Sequence, residues 1–446
     1  MDVVTLGESM VTFLPGRPGR LADVPSFHRS IGGAESNVAC ALAAFGHTAR
    51  WVGRIGADGF GDHLVERIAG YGVDVRAVRR DPGRPTGVYF RTAGDRGTGG
   101  HEVAYYRAGS AASAMSVRNV DPAAVRAGRV LHLTGITAAL SADCRDLLRA
   151  LTRRHPGRPL VSFDVNHRPG LWRESGDAHI LLELARDADI VFVGEDEAEE
   201  AWGLTGGPAA IRRALPEPAV LVVKQGARGA TAFARGAAGD ADGTQPPPLR
   251  AGGDALSGLS AGGDVCSRHP ADSDAASGRS AGEGALSVRS VQGPSRGGTG
   301  ERRESPLAEG SGEPGAGAPT GPGAATQPRP APAPAAARPA RALPTAAPAA
   351  SVPALRVDVV AATGAGDAFA AGFLSATLRG LPLAHRLRHG HLFAAAALTA
   401  PGDLAAPPAR GHADRLAALD DDAWGRLRLG PGWTQAERAE EEANTP

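Results

Sequence analysis

The run Thr363-Gly364-Ala365-Gly366-Asp367-Ala368-Phe369 follows a Val-rich stretch and opens a segment, AFAAGFLSATL, whose large apolar residues recur at helical spacing. Glycines at a strand-to-helix turn let backbone N–H groups converge on an anion, and the helix N-terminus adds partial positive charge. Gly364, Ala365 and Gly366 would supply those amides. An aspartate beside such a pocket repels phosphate. The useful role for Asp367 is therefore to take a proton from an attacking hydroxyl while the amides hold the developing charge. Taken alone, the run also fits a glycine turn with an ordinary aspartate N-cap.

A second run lies near the other end of the chain: Gly32-Gly33-Ala34-Glu35-Ser36-Asn37, with Gly46 and Gly56 further on. Gly32 and Gly33 before a helix allow close backbone approach to a small polar ligand, and Asn37, one turn in, can hydrogen-bond a hydroxyl. Two glycine runs with polar residues, both at strand-to-helix junctions and far apart in sequence, point to a bisubstrate site at the carboxyl edge of one sheet.

The elements that must hold these residues are legible as a repeating pattern. Short apolar runs recur at Val3–Leu6, 49–52, 130–133, 160–163, 190–193, 220–223 and 357–360, as buried parallel strands require. Ala/Leu/Arg segments of helical length lie between them, among them 35–45, closed by Gly46, 143–154 and 177–186. The alternation predicts an α/β fold with a mostly parallel sheet. Residues 86–91 and 102–107 alternate in period two around GDRGTGG and predict a hairpin outside that sheet, placed as a lid.

Composition sets the outer limits. From 236 to 350 the chain is almost entirely Ala, Gly, Pro, Ser and Arg, and no aromatic residue occurs between Phe233 and Phe369. Such a segment cannot bury enough apolar surface to offset its ordering entropy, and it is expected to be a disordered insertion. Its Pro-rich last third offers a docking segment for a partner that the sequence does not identify. The remainder, roughly 330 residues, suits one large α/β domain with a small appendage. That domain divides into 1–235 and 351–430, with an acidic tail over 431–446. The 48 basic and 48 acidic residues balance, which argues against action through a strong field on nucleic acid or membrane. No stretch approaches the roughly 20 apolar residues of a membrane span. The three cysteines, Cys40, Cys144 and Cys266, sit at unrelated spacings and suit reduced thiols. A cytoplasmic protein is expected.

The spacing G-G-A-x-x-N-x-A-x6-G-x9-G from Gly32 to Gly56, together with T-G-A-G-D-A-F from Thr363 to Phe369, resembles the ribokinase-like carbohydrate kinases, the PfkB family. The resemblance covers nearly the whole chain outside the insertion and the tail. It implies a ribokinase-like three-layer α/β/α fold with a mostly parallel central sheet and a small β lid, its strands within about 12–30 and 84–110. VVTLGESMVTF, TGVYFR, YYRAGSAAS and FDVNHRPGLW are similar to the 2-keto-3-deoxygluconate kinase branch. By matching position the resemblance gives the acidic sugar to Tyr89, Tyr105, Arg107 and Arg168, and arginine forks are the groups that bind a carboxylate bidentately.

On the nucleotide side, Val222 to Gly229 resembles the family's ATP-packing strand and turn, implicating Lys224, Gly226, Arg228 and Gly229. Lys224 is the chain's single lysine, placed where an ammonium can reach a phosphate. The resemblance implies ATP and Mg²⁺ as cofactors and allows a homo-oligomer assembled through the lid. Two departures stand out. Glu197 keeps the acid of the family's N-x-x-E metal motif, but Gly194 replaces its asparagine. Ala361 replaces an acid that relatives often use at a monovalent-cation site. The expected reaction is ATP-dependent phosphorylation of 2-keto-3-deoxygluconate to its 6-phosphate. The alternatives are a neutral-sugar kinase of fructokinase or ribokinase type, and a sugar-sensing module without catalysis.

Overall fold

Successive residues along a strand point to opposite faces of its sheet, and the short Val-rich strands of this chain use both faces for packing. In the computed structural model, which describes residues 1–17, 19–92, 102–172, 178–235 and 348–435, the strands in chain order are β1 (Val3–Leu6), β2 (Met10–Pro15), β3 (Phe27–Gly32), β4 (Ala49–Val52), β5 (Arg54–Gly56), β6 (Arg79–Asp81), β7 (Val88–Arg91), β8 (Val103–Tyr106), β9 (Val130–Thr134), β10 (Leu160–Asp164), β11 (Ile190–Gly194), β12 (Val220–Lys224), β13 (Ala230–Ala234) and β14 (Ala350–Val352). Eight of them make one sheet in the order β14-β13-β12-β11-β10-β9-β1-β4. From β12 to β4 all neighbours are parallel, while β13 and β14 join antiparallel.

Two apolar clusters cover the two faces. Val3, Ile190, Phe192, Val220 and Val222 pack on one side, against helices Ala34–Ala44, Ala365–Leu378 and Leu383–Leu398. Their chain neighbours Val4, Val191, Val193, Leu221 and Val223 pack on the other, against Ala142–Thr152, His179–Asp187 and Gly207–Ala214. The ring of Phe192 meets Phe373 edge-on at 5.3 Å and 89°, an arrangement that aromatic quadrupoles favour. This is the three-layer α/β/α architecture. Parallel strands in such a sheet place their carboxyl ends along one edge, where ligands bind.

A separate four-stranded sheet, β3-β2-β7-β8, stands apart from the main one. β7 and β8 pair antiparallel with Tyr89 opposite Tyr105. The turn that joins them, 93–101, lies outside the described residues, as do 236–347 and 436–446.

The end of the main sheet differs from the sequence reading. Val357–Val360 is not a buried strand: only Arg356–Val357 is extended, paired with Arg428–Leu429 in a separate two-stranded sheet, and Val359 and Val360 are exposed. The place it was expected to fill is taken by β14, whose register sets Ala350 against Ala232. The insertion boundary drawn at 350 is therefore too late, since Ala349 already donates its N–H to the Ala232 carbonyl. β-branched character marks an extended segment, while an edge place goes to the segment whose backbone reaches the open ladder first.

Because β13 and β14 are adjacent antiparallel strands, a short loop is enough to join them. A variant in which a Gly-containing turn links Arg235 directly to Pro348 should unfold cooperatively with a melting temperature within about 3 °C of the full chain, a shift worth roughly 1 kcal/mol at this size. Loss of the cooperative transition in calorimetry would show that the sheet edge needs the longer connection.

Candidate active site

Register along the parallel strands brings Thr134, Asp164, Gly194 and Lys224 side by side at the carboxyl edge. Asp164 lies opposite Thr134 and Phe192, and Gly194 opposite Lys224. Above this edge the helix Ala365–Leu378 begins at Gly364, whose φ of 79° is left-handed backbone that a side chain would strain. A Cβ there would also overlap the carbonyl oxygen of Asp403. The first amides of this helix have no intrahelical acceptor and form an anion cradle, with Asp367 in the first turn.

The two glycine runs meet here. Asn37, on the helix that follows Gly33, donates from Nδ2 to Asp367 Oδ2 at 2.9 Å, across 330 positions of sequence. Asp367 is half-buried. Withdrawal of its carboxyl from water pushes it up to about 7. The Asn37 hydrogen bond and the charges of Arg168 and Lys224 oppose that rise, and the charge of Asp164 adds to it. Lys224 Nζ pairs with both oxygens of Asp164, at 3.0 and 3.1 Å. Burial alone would lower the lysine, but Asp164 and Glu197 outweigh it and hold the ammonium above its ordinary value. A Cβ on Gly366 would stand 3.7 Å from Nζ, which places the lysine beside the cradle.

The expected sugar-side residues are distributed differently. Tyr89 is buried and donates its hydroxyl to Asp403, which also accepts from Arg91 at 2.6 Å. Gly32 fits under this pair, where a Cβ would overlap both Tyr89 and Asp403. Tyr105 is 52% exposed on β8. Arg107 lies 5.8 Å from its ring centroid and forms an ion pair with Glu8, which also accepts from Ser110 at 2.5 Å. Its charge is thus already compensated. Arg168 is exposed and, among the described residues, contacts only the carbonyl of His167, at 3.4 Å. The two arginines do not form one free fork.

On the expected nucleotide side, Gly226 opens a turn of 3₁₀ helix that ends at Arg228, whose guanidinium is spent on Glu195 at 2.6 Å. Gly229 is needed for packing, since a Cβ would overlap the Val352 carbonyl of β14. Glu197 accepts from the Gly194 N–H at 2.6 Å, and burial raises its pKa against the pull of Lys224. Ala361 donates its N–H to the Leu398 carbonyl at 3.2 Å.

Four acidic residues escaped the sequence reading. Asp164 stands in FDVNHRPGLW and Glu8 in VVTLGESMVTF, within stretches already singled out, and Glu35 lies inside the Gly32–Asn37 run. Asp403 closes a plain Pro401-Gly402-Asp403 turn with no chemical signature.

Against known proteins, a family model described as pfkB family carbohydrate kinase matches residues 1–251 and 348–410. A 2-dehydro-3-deoxygluconokinase of Bacillus subtilis is 36% identical over 207 residues, 46% of this chain but only 63% of that protein's length. One of Thermoproteus tenax is 34% identical over 240 residues, 53% of this chain and 73% of its own. Among solved structures, a putative ribokinase II of E. coli in complex with ATP and Mg²⁺ superposes with a TM-score of 0.61 at 18% identity, over 93% of this chain and 98% of that one.

Asp164 and Lys224 balance each other where water is scarce, so removing one leaves the other uncompensated. Asp164→Ala should lower stability by about 2–3 kcal/mol, less than for a wholly buried pair because the Lys224 side chain keeps 19% exposure. Replacing both residues with Leu and Met should recover part of the loss. The midpoint of urea unfolding reads both variants.

Proposed function

The chain belongs to the pfkB family of carbohydrate kinases, and from that premise we propose that it transfers the γ-phosphoryl group of ATP to the terminal hydroxyl of 2-keto-3-deoxygluconate or a close keto-sugar acid. The observation that carries the reading is the Asn37–Asp367 hydrogen bond, which sets a carboxyl of raised pKa at the mouth of an amide cradle. Asp367 takes the hydroxyl proton as the sugar oxygen bonds to phosphorus and the bond to ADP breaks. The amides of Ala365, Gly366 and Asp367 hold the charge spread over the transferring group, and Lys224 supplies a counter-charge beside them.

The unsatisfied helix amides, with the Lys224 ammonium 3.7 Å from where a Gly366 Cβ would stand, suit a phosphate group. Bound Mg²⁺ would neutralise phosphate charge. Among the described residues no group of three or more His, Cys, Asp or Glu side chains is arranged to hold a metal ion. In this reading the cation would arrive with the nucleotide phosphates, and Glu197 would help hold its water shell. Gly229 packs against β14, while Lys224, Gly226, the cradle and the exposed Arg228 make the nucleotide-binding set.

For the substrate, Arg168 is the guanidinium free to meet a carboxylate, while Arg107, held by Glu8, serves sugar oxygens from the lid. That compensation favours a second reading, a neutral-sugar kinase. The open edge of β8, with Val103, Tyr105 and Tyr106 exposed, supports assembly through the lid. Free, buried Cys40 and Cys144 fit a reducing cytoplasm.

A panel of sugar acids and neutral sugars, assayed for ATP-dependent ADP release, tests the substrate. Arg168→Ala should raise KM for the acid about 10- to 100-fold, the loss of one charge-assisted hydrogen bond, with far less effect on a neutral sugar. Equal losses would favour the neutral-sugar reading.

Asp367→Asn should reduce turnover by roughly 10²–10⁴ with ATP affinity near that of the unmodified chain. The base works only when ionised, so kcat/KM of the unmodified enzyme should fall as pH drops through about 7, the value to which Asp367 is raised. A pH profile flat from 8 to about 5 would remove Asp367 from the proton transfer.

A further inference from the structure

Glu35 opens the helix Ala34–Ala44 two residues before Asn37 and has no exposed surface. Its Oε1 accepts two hydroxyls, from Thr134 at the end of β9 at 2.8 Å and from Thr137 at 2.7 Å. Its Oε2 has no hydrogen-bond partner among the described residues. The carboxyl lies over Gly7, just beyond β1, where any Cβ would overlap it. One side chain therefore touches the ends of two central strands and starts the turn that presents Asn37 to Asp367.

A bare charged oxygen sealed from water is among the costliest arrangements an interior can hold. A neutral carboxyl suits the observed pattern better: its carbonyl oxygen receives both donated hydroxyls, and its other oxygen carries the proton. We propose that Glu35 is a positioning residue that keeps its proton while Asp367 first ionises, bracing the ends of β1 and β9 against the Asn37 turn and leaving the site's first ionisable charge to Asp367. The inference rests on the reading of Asp367 as the base.

The groups around the pair agree. Glu35 is faced by the hydroxyls of Thr134 and Thr137, the Gly7 backbone and the charge of Asp367. Asp367 is faced by Asn37, Asp164, Arg168 and Lys224. Burial, with a smaller contribution from the charge of Asp367, pushes Glu35 up to about 7 against the hydrogen bonds from Thr137, Thr134 and its own backbone N–H, and Asp367 is raised to the same value. By linkage that repulsion acts on both carboxyls, so their protons leave in coupled steps. When Glu35 ionises, it opposes ionisation of the base.

Glu35→Gln keeps the size and the oxygen that accepts both hydroxyls, and it is neutral at every pH. The folded variant should turn over within about threefold of the unmodified enzyme near pH 8, with the acid limb of kcat/KM displaced to lower pH by about half a unit or more. Glu35→Ala removes the brace and should lower kcat about tenfold or more. Infrared difference spectra of the unliganded protein near pH 6, unmodified minus Glu35→Gln, should contain the carbonyl stretch of a protonated carboxyl. A folded Glu35→Gln variant as impaired as Asp367→Asn, an unmoved acid limb, or a missing protonated-carboxyl band would each overturn the proposal. The infrared measurement needs no substrate. A protein inactive on every sugar that still shows the band would refute the kinase reading and leave a neutral Glu35 standing.

Discussion

The hydrogen bond between Asn37 and Asp367 is the constraint from which the rest of the site follows. Its two ends belong to helices that begin at glycine turns and pack on the same face of the sheet, yet they stand 330 positions apart. The role proposed for Asp367, a base for a sugar hydroxyl, requires a carboxyl withdrawn from water enough to hold a pKa near the working pH but able to ionise without leaving its place. Asn37 supplies orientation at one carboxylate oxygen. The cradle above and Lys224 beside it supply positive potential, and Asp164 limits how far that potential lowers the base.

The same balance explains the charged pairs around the site. Lys224 would be costly at a half-buried strand end without Asp164, and Asp164, with 2% of its side chain exposed, would be costly without Lys224. Their contact fixes the ends of β10 and β12, the strands that flank β11 and its terminal Gly194. Asp403 does similar work across the lid. It receives Tyr89 and Arg91 from β7, and its own carbonyl closes over Gly364, so one residue ties the lid sheet to the turn that starts the cradle. A rigid edge built in this way keeps the reacting groups within the small tolerance that oriented catalysis demands.

What the sequence disclosed and what it hid divide along physical lines. Gly364, Gly366, Asp367 and Asn37 could be found because strand-to-helix turns impose local demands on residue type, and the alternation of Val-rich runs with Ala/Leu segments showed the sheet. Glu8, Asp164 and Asp403 could not be picked out as site residues. Their partners Arg107, Lys224 and Arg91 lie far away in the chain, and an acidic residue carries no local mark of the cation it will meet. The Val357–Val360 run misled for a related reason, since extended propensity says nothing about which segment the open ladder of β13 will capture. Tyr89 falls on β7 as read and Arg107 one residue past the end of β8, but their side-chain partners within the fold were invisible.

Those partners bear on how the site distinguishes substrates. Two arginines near a sugar pocket suggest a carboxylate when both are free, but Glu8 sits 3% exposed beneath Arg107 and takes its charge. The compensated pair presents directed N–H groups with little net field, which suits hydroxyl or keto oxygens. Arg168, exposed in the loop that follows β10, has its charge within range of both Asp367 and Glu197. A carboxylate bound there would reduce the positive potential that helps Asp367 ionise, and so raise its proton affinity. A neutral sugar would leave that potential intact. On the proposed reading of Asp367 as the base, the chemical class of the substrate would feed back on proton transfer through the Arg168 guanidinium.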